Sequence, residues 1–254
     1  MLNWLFHRKR AKAAIAFVDY EYWFYSYQNQ FRLKTDPLAW RSELEKEYDL
    51  KDVMIFGDFS NSKLSAELPK LRTVTNTIVE TGNSDIHRKK DMTDFVMLDY
   101  IYQVATHQKY IETFIIFTGD GHFQSVVKYL VQQLQKNVVV YGVKDTFSNQ
   151  LRAVASRAIQ IPAEDAILKN YFSMIISNLA YVADKPKIVP TFMGTVEAVA
   201  KKNNVPEDGV KAALVKMIED GYIYQRLERV SFNKNVKIVV PDWDKLIREG
   251  IWKP

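Results

Sequence analysis

The chain contains 254 residues and carries a formal net charge of +5, with 47% hydrophobic and 26% charged residues. Such a composition is typical of globular proteins, and the length suffices for one large domain or two modest ones, each with its own core. Because the chain has no cysteine, disulfides, zinc-thiolate sites, iron–sulfur clusters and cysteine nucleophiles are all excluded.

The ends of the chain differ in charge and hydropathy. The largely apolar start, MLNWLF, is shorter than the core of a signal peptide, and a basic segment, HRKRAK, follows it. No apolar run approaches the ~20 residues of a membrane span, so we expect a soluble, cytoplasmic protein with no membrane partner. Residues 185–254 hold 13 Lys and Arg against 9 Asp and Glu. This mild basic excess favours a polyanionic partner.

The N-terminal part alternates between apolar runs and helical patterns. In chain order, we predict a strand at 13–18, a helix at 36–48, a strand at 53–57, a helix at 62–72, a strand at 75–80, a helix at 92–107, a strand at 114–118, a helix at 122–135, and strands at 137–143 and 158–161. Short apolar strands that alternate with helices predict an α/β fold, a Rossmann-like (PIN-like) parallel sheet with helices on both faces. In the helix at 92–107, we expect Phe95, Leu98, Tyr102 and Ala105 to form the core-facing stripe.

The pattern changes after Pro162. We predict helices at 163–182, 191–202 and 206–220, and strands at 222–227 and 236–240. Two helices followed by a β-hairpin indicate a small winged helix-turn-helix domain. We therefore divide the chain into a nuclease-like domain at 1–162, a connecting helix and linker at 163–184, and a winged-helix-like domain at 185–254. Two roles stay open for the last domain, nucleic-acid binding through its lysines and arginines, or contact with a protein partner or a second copy.

Three aspartates lie beside the ends of predicted strands, and we expect the topology of the sheet to bring them close together. Asp19 and Asp120 come directly after strands, and Asp94 lies in the first turn of a helix that leads into another strand. In open parallel sheets, ligands bind beyond the carboxyl ends of the strands. Clustered carboxylates remain ionised together when a divalent cation neutralises them, and Mg²⁺ and Mn²⁺ prefer such oxygen ligands. Each aspartate also has a plainer interpretation, as a turn residue or a helix cap.

The segments around these aspartates resemble the motifs of NYN domains, which are PIN-like nucleases with a Rossmann-like fold. They read IAFVD at 15–19, KDMTD at 90–94 and FIIFTGDGHF at 114–123, in matching order and spacing. The resemblance covers about residues 12–162. It implies that Asp19, Asp94 and Asp120 bind a divalent metal, Mg²⁺ or Mn²⁺, and that the substrate is RNA.

Two positions depart from the family's pattern. Tyr22 stands where many members have Asn, and His122 stands where a second Asp of the third motif is common. A histidine cannot supply the same anionic oxygen, so His122 is a candidate proton donor, a phosphate contact or only a helix cap. Glu21 and Asp91 could substitute for the missing carboxylate. Asp58, at another strand end, is a third candidate, although a turn role suits it better.

Further residues are candidates for gripping the substrate. Arg88, Lys89 and Lys90 precede Asp94 and could hold phosphates without reading sequence, or could simply be solvated. Ser148 and Asn149 follow the strand at 137–143, where a phosphate contact and a helix cap are both consistent with Ser148. The aromatic residues between 20 and 27 favour core packing over base stacking, with the role of Tyr22 left open.

The leading hypothesis is therefore a metal-dependent ribonuclease that hydrolyses RNA phosphodiester bonds, with RNA rather than DNA as its partner. The alternative is a non-catalytic RNA-binding or regulatory protein with a degenerate nuclease site, which Tyr22 and His122 favour. A third hypothesis is a DNA-binding regulator that acts through the winged helix. A glycine-rich dinucleotide fingerprint does not follow the first strand, and the sequence contains no P-loop.

Overall fold

The computed structural model describes residues 11–82, 92–185, 188–231 and 234–253. The chain forms two compact units. The first contains the described part of Met1–Asn29 together with Lys34–Ile161, and the second contains Gln30–Leu33 together with Pro162–Pro254. Each unit has its own hydrophobic core.

The first unit is built around a parallel sheet of six strands in the order β3-β2-β1-β4-β5-β6. The strands are β1 (Ala13–Asp19), β2 (Asp49–Gly57), β3 (Ile78–Glu80), β4 (Thr113–Phe117), β5 (Asn137–Val143) and β6 (Arg157–Ile161). Val18 of β1 lies opposite Phe117 of β4, so β1 and β4 end side by side in the middle of the sheet. The strand order reverses its direction there, which is where open α/β sheets bind their ligands. The predicted α/β fold is thus confirmed.

Helices flank this sheet. They are α1 (Tyr20–Ser26), α2 (Pro37–Glu47), α3 (Ser62–Ser65), α4 (Leu68–Leu71), α5 (Met92–His107), α6 (Gln124–Lys128) and α7 (Asn149–Val154). A π-helical turn, Tyr27–Phe31, continues α1, while a 3₁₀ turn, Gly121–Phe123, precedes α6 and a π-helical turn, Tyr129–Gln133, follows it. The single helix predicted at 62–72 is divided in two, because Pro69 has no backbone N–H to continue the first helix and instead occupies the first turn of α4.

The central strands are buried on both faces. Every residue of β4 is buried, and in β1 only the first residue is partly exposed. The stripe predicted for α5 is wrong at two of its four positions, since Phe95 and Tyr102 are exposed, whereas Ala105 is buried and Leu98 packs partly buried against the core. Beside Ala105, the helix buries Met97, Ile101 and Val104, which were not part of the predicted stripe. This register turns two aromatic rings outward, although the hydrophobic pattern of the helix is consistent with either face.

In the described part of the second unit there are four α-helices and one antiparallel pair of strands. They are α8 (Glu164–Ala183), α9 (Phe192–Asn203), α10 (Glu207–Glu219), the antiparallel pair β7 (Ile223–Ser231) and β8 (Lys234–Pro241), and α11 (Trp243–Arg248). Helix α8 lies in the segment predicted to be a connector at 163–184. Its Tyr171, Ile175, Ile176 and Leu179 belong to the core of this unit, so the helix is a structural part of it.

None of the helices in the described ranges is both long enough and apolar enough to span a membrane.

Candidate metal centre

The site begins where β1 and β4 end. Asp19 is the last residue of β1 and at the same time the N-cap of α1, where its Oδ1 accepts a hydrogen bond of 2.9 Å from the Tyr22 N–H. Thr118, directly after β4, is buried and donates from Oγ1 to Asp19 Oδ2 at 3.5 Å. The strand-to-helix turn therefore holds the Asp19 carboxylate in one orientation.

Asp19 is a buried carboxylate surrounded by other acids. Its pKa is raised to about 7, mainly by burial and to a smaller extent by the charges of Asp94, Glu21 and Asp120, while the hydrogen bond from the Tyr22 N–H lowers it. A carboxylate in such a place is costly to ionise unless a cation compensates its charge. This environment is consistent with a metal ligand.

Asp94, Asp120 and His122 form the tightest group of possible ligands among the described residues. One side-chain ligand atom from each lies within 4.8 Å of the others. Asp94 is in the first turn of α5, and Asp120 caps the 3₁₀ turn that His122 belongs to. Asp19 is outside this group of three but close enough to Asp94 and Asp120 for their charges to act on its pKa.

His122 is held by Asp120. The Asp120 Oδ1 accepts a hydrogen bond of 2.8 Å from the His122 N–H and lies 3.2 Å from His122 Nδ1. The His122 side chain is 75% exposed, so an incoming phosphate can reach its ring. The structure thus brings His122 to Asp94 and Asp120, although in the sequence it stands out only as a departure from the family's pattern.

Tyr22 forms a bridge between three strand ends. Its Oη accepts a hydrogen bond of 2.8 Å from Val143 N, at the end of β5, and lies 2.9 Å from Thr146 Oγ1. A Cβ added to Gly119 would lie only 2.4 Å from Tyr22 Oη. The tyrosine therefore occupies the space directly beside the loop that carries Asp120, and glycine is required there by this close approach.

Ser148 and Asn149 lie on the loop after β5. Ser148 donates from its N–H to the Gly119 carbonyl at 3.0 Å, and its Oγ accepts from Leu151 N at 3.4 Å as the N-cap of α7. Asn149 Oδ1 accepts a hydrogen bond of 3.3 Å from Arg152. Arg88, Lys89, Lys90 and Asp91 lie outside the described residues.

Two other acidic candidates are close to each other, Glu21 on α1 and Asp58 directly after β2. Burial raises the pKa of Glu21, and the charge of Asp58 raises it further, so the two carboxyls are neighbours. Asp58 Oδ1 accepts from the N–H of Ser60 at 3.1 Å and from its hydroxyl. Asp58 therefore closes a turn, in agreement with the role that its sequence position favours.

The donor set fits a hard divalent cation. The carboxylate oxygens of Asp94 and Asp120 converge with the imidazole of His122 beside them, and Mg²⁺ and Mn²⁺ prefer carboxylate oxygen ligands. Two residues that orient side chains of the site were not predicted from the sequence. Thr118 and Thr146 orient Asp19 and Tyr22 through their hydroxyls, and only the Thr-Gly-Asp pattern gave a local signal for the first of them.

Comparisons with known proteins agree with this architecture. A model of the NYN domain family matches residues 13–162. A crystal structure of a protein of unknown function from Vibrio parahaemolyticus is similar at 18% identity and a TM-score of 0.54, covering 61% of this chain and 95% of that chain. At this identity the similarity shows the fold alone. No curated protein matches the chain.

Proposed function

The chain belongs to the NYN domain family, a family of nucleases, and from this we propose that it is a metal-dependent ribonuclease that hydrolyses RNA phosphodiester bonds. The single observation that carries the proposal is the convergence of Asp94, Asp120 and His122, whose ligand atoms lie within 4.8 Å of one another. Buried Asp19, whose pKa Asp94 and Asp120 help to raise, adds a further carboxylate.

Asp19, Asp94 and Asp120 would hold the cation, Mg²⁺ or Mn²⁺. When bound, such a cation polarises a phosphoryl oxygen and lowers the pKa of a water molecule to supply the nucleophile. The protein itself would contribute a carboxylate, that of Asp19, whose orientation is fixed before the substrate binds. Because Tyr22 N–H and Thr118 Oγ1 both donate to Asp19, its oxygens need no rearrangement when the substrate arrives.

His122 would act on the substrate from the exposed side of the site. Its imidazole lies 3.2 Å from Asp120 Oδ1, and a carboxylate partner of this kind orients a histidine ring. We assign it either donation of a proton to the leaving oxygen or a contact to a phosphate oxygen. Both roles need the exposure that the side chain has.

The remaining contacts would position the RNA. We propose that Ser148 and Asn149, on the loop beside Gly119, and Arg88, Lys89 and Lys90 bind phosphates, which fix the register of a strand without reading its bases. The C-terminal helices and hairpin would act as a winged-helix module for RNA or for a protein partner. A cytoplasmic location is part of this proposal.

The alternative is a non-catalytic RNA-binding protein with a degenerate nuclease site. It is favoured by one observation, that the position of the family's additional carboxylate is occupied by the imidazole of His122. Such a protein would bind RNA with and without metal and cleave it in neither condition.

The deciding experiment is an RNA cleavage assay. We expect the full chain to cleave single-stranded RNA in Mg²⁺ or Mn²⁺ and not in EDTA, and Asp94→Asn and Asp120→Asn to abolish cleavage. Asp49→Asn is the matched control. Asp49 is the first residue of β2, so it lies at the end of the strands opposite to the metal centre, and its carboxylate forms an ion pair with Lys51 Nζ at 2.7 Å. Binding without cleavage in every metal would contradict the ribonuclease and support the alternative. A preference for duplex DNA over RNA would contradict both the ribonuclease and the non-catalytic RNA-binding protein.

A further inference from the structure

Helix α5 and the helical segment that follows Asp120 carry an exposed aromatic surface beside the metal centre. It consists of Phe95, Tyr102 and Tyr129, which are 66%, 40% and 37% exposed. We call it the aromatic track. The rings of Tyr102 and Tyr129 are in contact, with centroids 5.6 Å apart and planes inclined by 48°. Large exposed rings grouped in this way indicate a binding surface rather than part of the core.

The aromatic track starts at the proposed catalytic site. Phe95 follows Asp94 directly, and Tyr102 lies seven residues further, on the same face of α5. At ~1.5 Å per residue, this places Tyr102 about 10 Å along the helix from Phe95. Tyr129 likewise lies seven residues after His122, on the helical segment that packs beside α5.

The two helical segments therefore run together away from the metal centre. They are close at one end through Asp94 and His122, whose ligand atoms lie within 4.8 Å, and again further along through the Tyr102–Tyr129 pair. A polymer whose phosphate lies at the metal centre would extend along these rings. The spacing of about 10 Å suits roughly two to three nucleotides.

We propose that the aromatic track stacks the unpaired bases of a single-stranded RNA on one side of the phosphate that is cleaved. Bases in a duplex are stacked on each other, whereas single-stranded bases are free to stack on protein rings. Exposed Lys128 directly precedes Tyr129, so a cation lies near this end of the aromatic track. Asp99 lies on the same face of α5, and its Oδ2 accepts a hydrogen bond of 2.7 Å from the Gln103 side-chain amide. The inference rests on the proposed function, because it takes the metal centre as the place of cleavage.

The test measures binding of a fluorescein-labelled single-stranded RNA octamer to the full chain by anisotropy in EDTA, where cleavage does not interfere. We expect the double variant Tyr102→Ala/Tyr129→Ala to raise the Kd by about 5- to 100-fold, the range for losing base–aromatic stacking. The double variant Tyr102→Phe/Tyr129→Phe keeps both rings and should bind like the natural protein. Tyr110→Ala is the matched control, because Tyr110 is exposed outside the aromatic track.

Several results would overturn the inference. One is an unchanged Kd in the double alanine variant, and another is an equal loss in the double phenylalanine variant, which would implicate the hydroxyls instead of the rings. A third is a change from dimer to monomer in light scattering of the alanine variant, which would make the track a protein contact.

A separate assay keeps this outcome distinct from that of the proposed function. Hydrolysis of bis(p-nitrophenyl) phosphate in Mn²⁺ by the natural protein, and its loss in Asp120→Asn, reports on the metal centre, since this small diester has no further nucleotides that would extend along the aromatic track. If the natural protein hydrolyses the diester and the double alanine variant binds RNA as tightly as the natural protein, the aromatic track is rejected and the proposed nuclease is not. RNA binding that depends on the rings, without any hydrolysis, would reject the proposed nuclease activity and leave the aromatic track as an RNA-binding surface.

Discussion

The ring of Tyr22 lies directly against the backbone of Gly119, so closely that a Cβ at Gly119 would be 2.4 Å from the tyrosine Oη. This relationship connects the end of β1 to the Thr-Gly-Asp loop after β4. It explains how the chain accommodates a tyrosine at a position where an asparagine is common in the family. The tyrosine is part of the framework that positions Asp120.

The first prediction concerns this close approach. Gly119→Ala should lower the free energy of unfolding by about 1–3 kcal/mol, because the new methyl group displaces the ring of Tyr22. The loss should be much smaller in a Tyr22→Ala background, where the ring is absent. Urea unfolding of the two single variants and the double variant measures this coupling. Additive losses would show that the ring and the glycine act independently.

The hydroxyl of Tyr22 is the subject of the second prediction. In Tyr22→Phe, the N–H of Val143 loses its acceptor at 2.8 Å, and we expect a destabilisation of about 1–3 kcal/mol together with slower RNA cleavage. Tyr110→Phe serves as the control, since its exposed hydroxyl donates to Gln108 at the surface. Equal stability of the two variants would mean that the bridge to β5 contributes nothing.

The third prediction follows from the raised pKa of Asp19. Its pKa of about 7 in the folded chain exceeds its ordinary value of 3.8, so between these values the folded state retains a proton that the unfolded state has released. The stability that this carboxyl contributes is therefore complete below about pH 4, falls as the pH rises and is lost above about pH 7. Asp19→Asn cannot titrate, and Asn also caps helices well.

In EDTA, we thus expect Asp19→Asn to gain stability over the natural protein between pH 5 and pH 8, by on the order of 2 kcal/mol. Mn²⁺ should stabilise the natural protein at pH 8 and leave the variant unchanged. Thermal unfolding at both pH values provides the measurement. A stability difference that is the same at pH 5 and pH 8 would exclude this titration.

The fourth prediction concerns the choice of metal. His122→Asp restores a carboxylate at the position common in the family, and Mg²⁺ prefers oxygen ligands over imidazole. We expect the cleavage rate in Mg²⁺ relative to Mn²⁺ to rise by about tenfold, measured by titration of each metal. His122→Asn, which removes the imidazole without adding charge, should lower the rates in both metals. An unchanged ratio in His122→Asp would show that a carboxylate at this position does not bind the metal.

Most of the fold could be predicted from the sequence because the signals are local. Continuous apolar runs located β1, β4 and β5 to within a residue or two at each end, and Asp36 with Pro37 marked the start of α2. The alternation of strands and helices was sufficient to predict the parallel sheet. The approach of Asp19 to Asp94 and Asp120 follows from the same topology, since the carboxyl ends of parallel strands share one edge.

The tertiary structure alone decided which side chains are buried and which meet. Periodicity could not tell that α5 turns Phe95 and Tyr102 to solvent, because exposure depends on which elements pack against a helix. It also could not show that His122 joins Asp94 and Asp120, or that Asp19 is more buried than either of these acids. The sequence by itself determined where the carboxylates gather. Their different burial, and hence their different chemistry, arises from contacts between residues far apart in the chain.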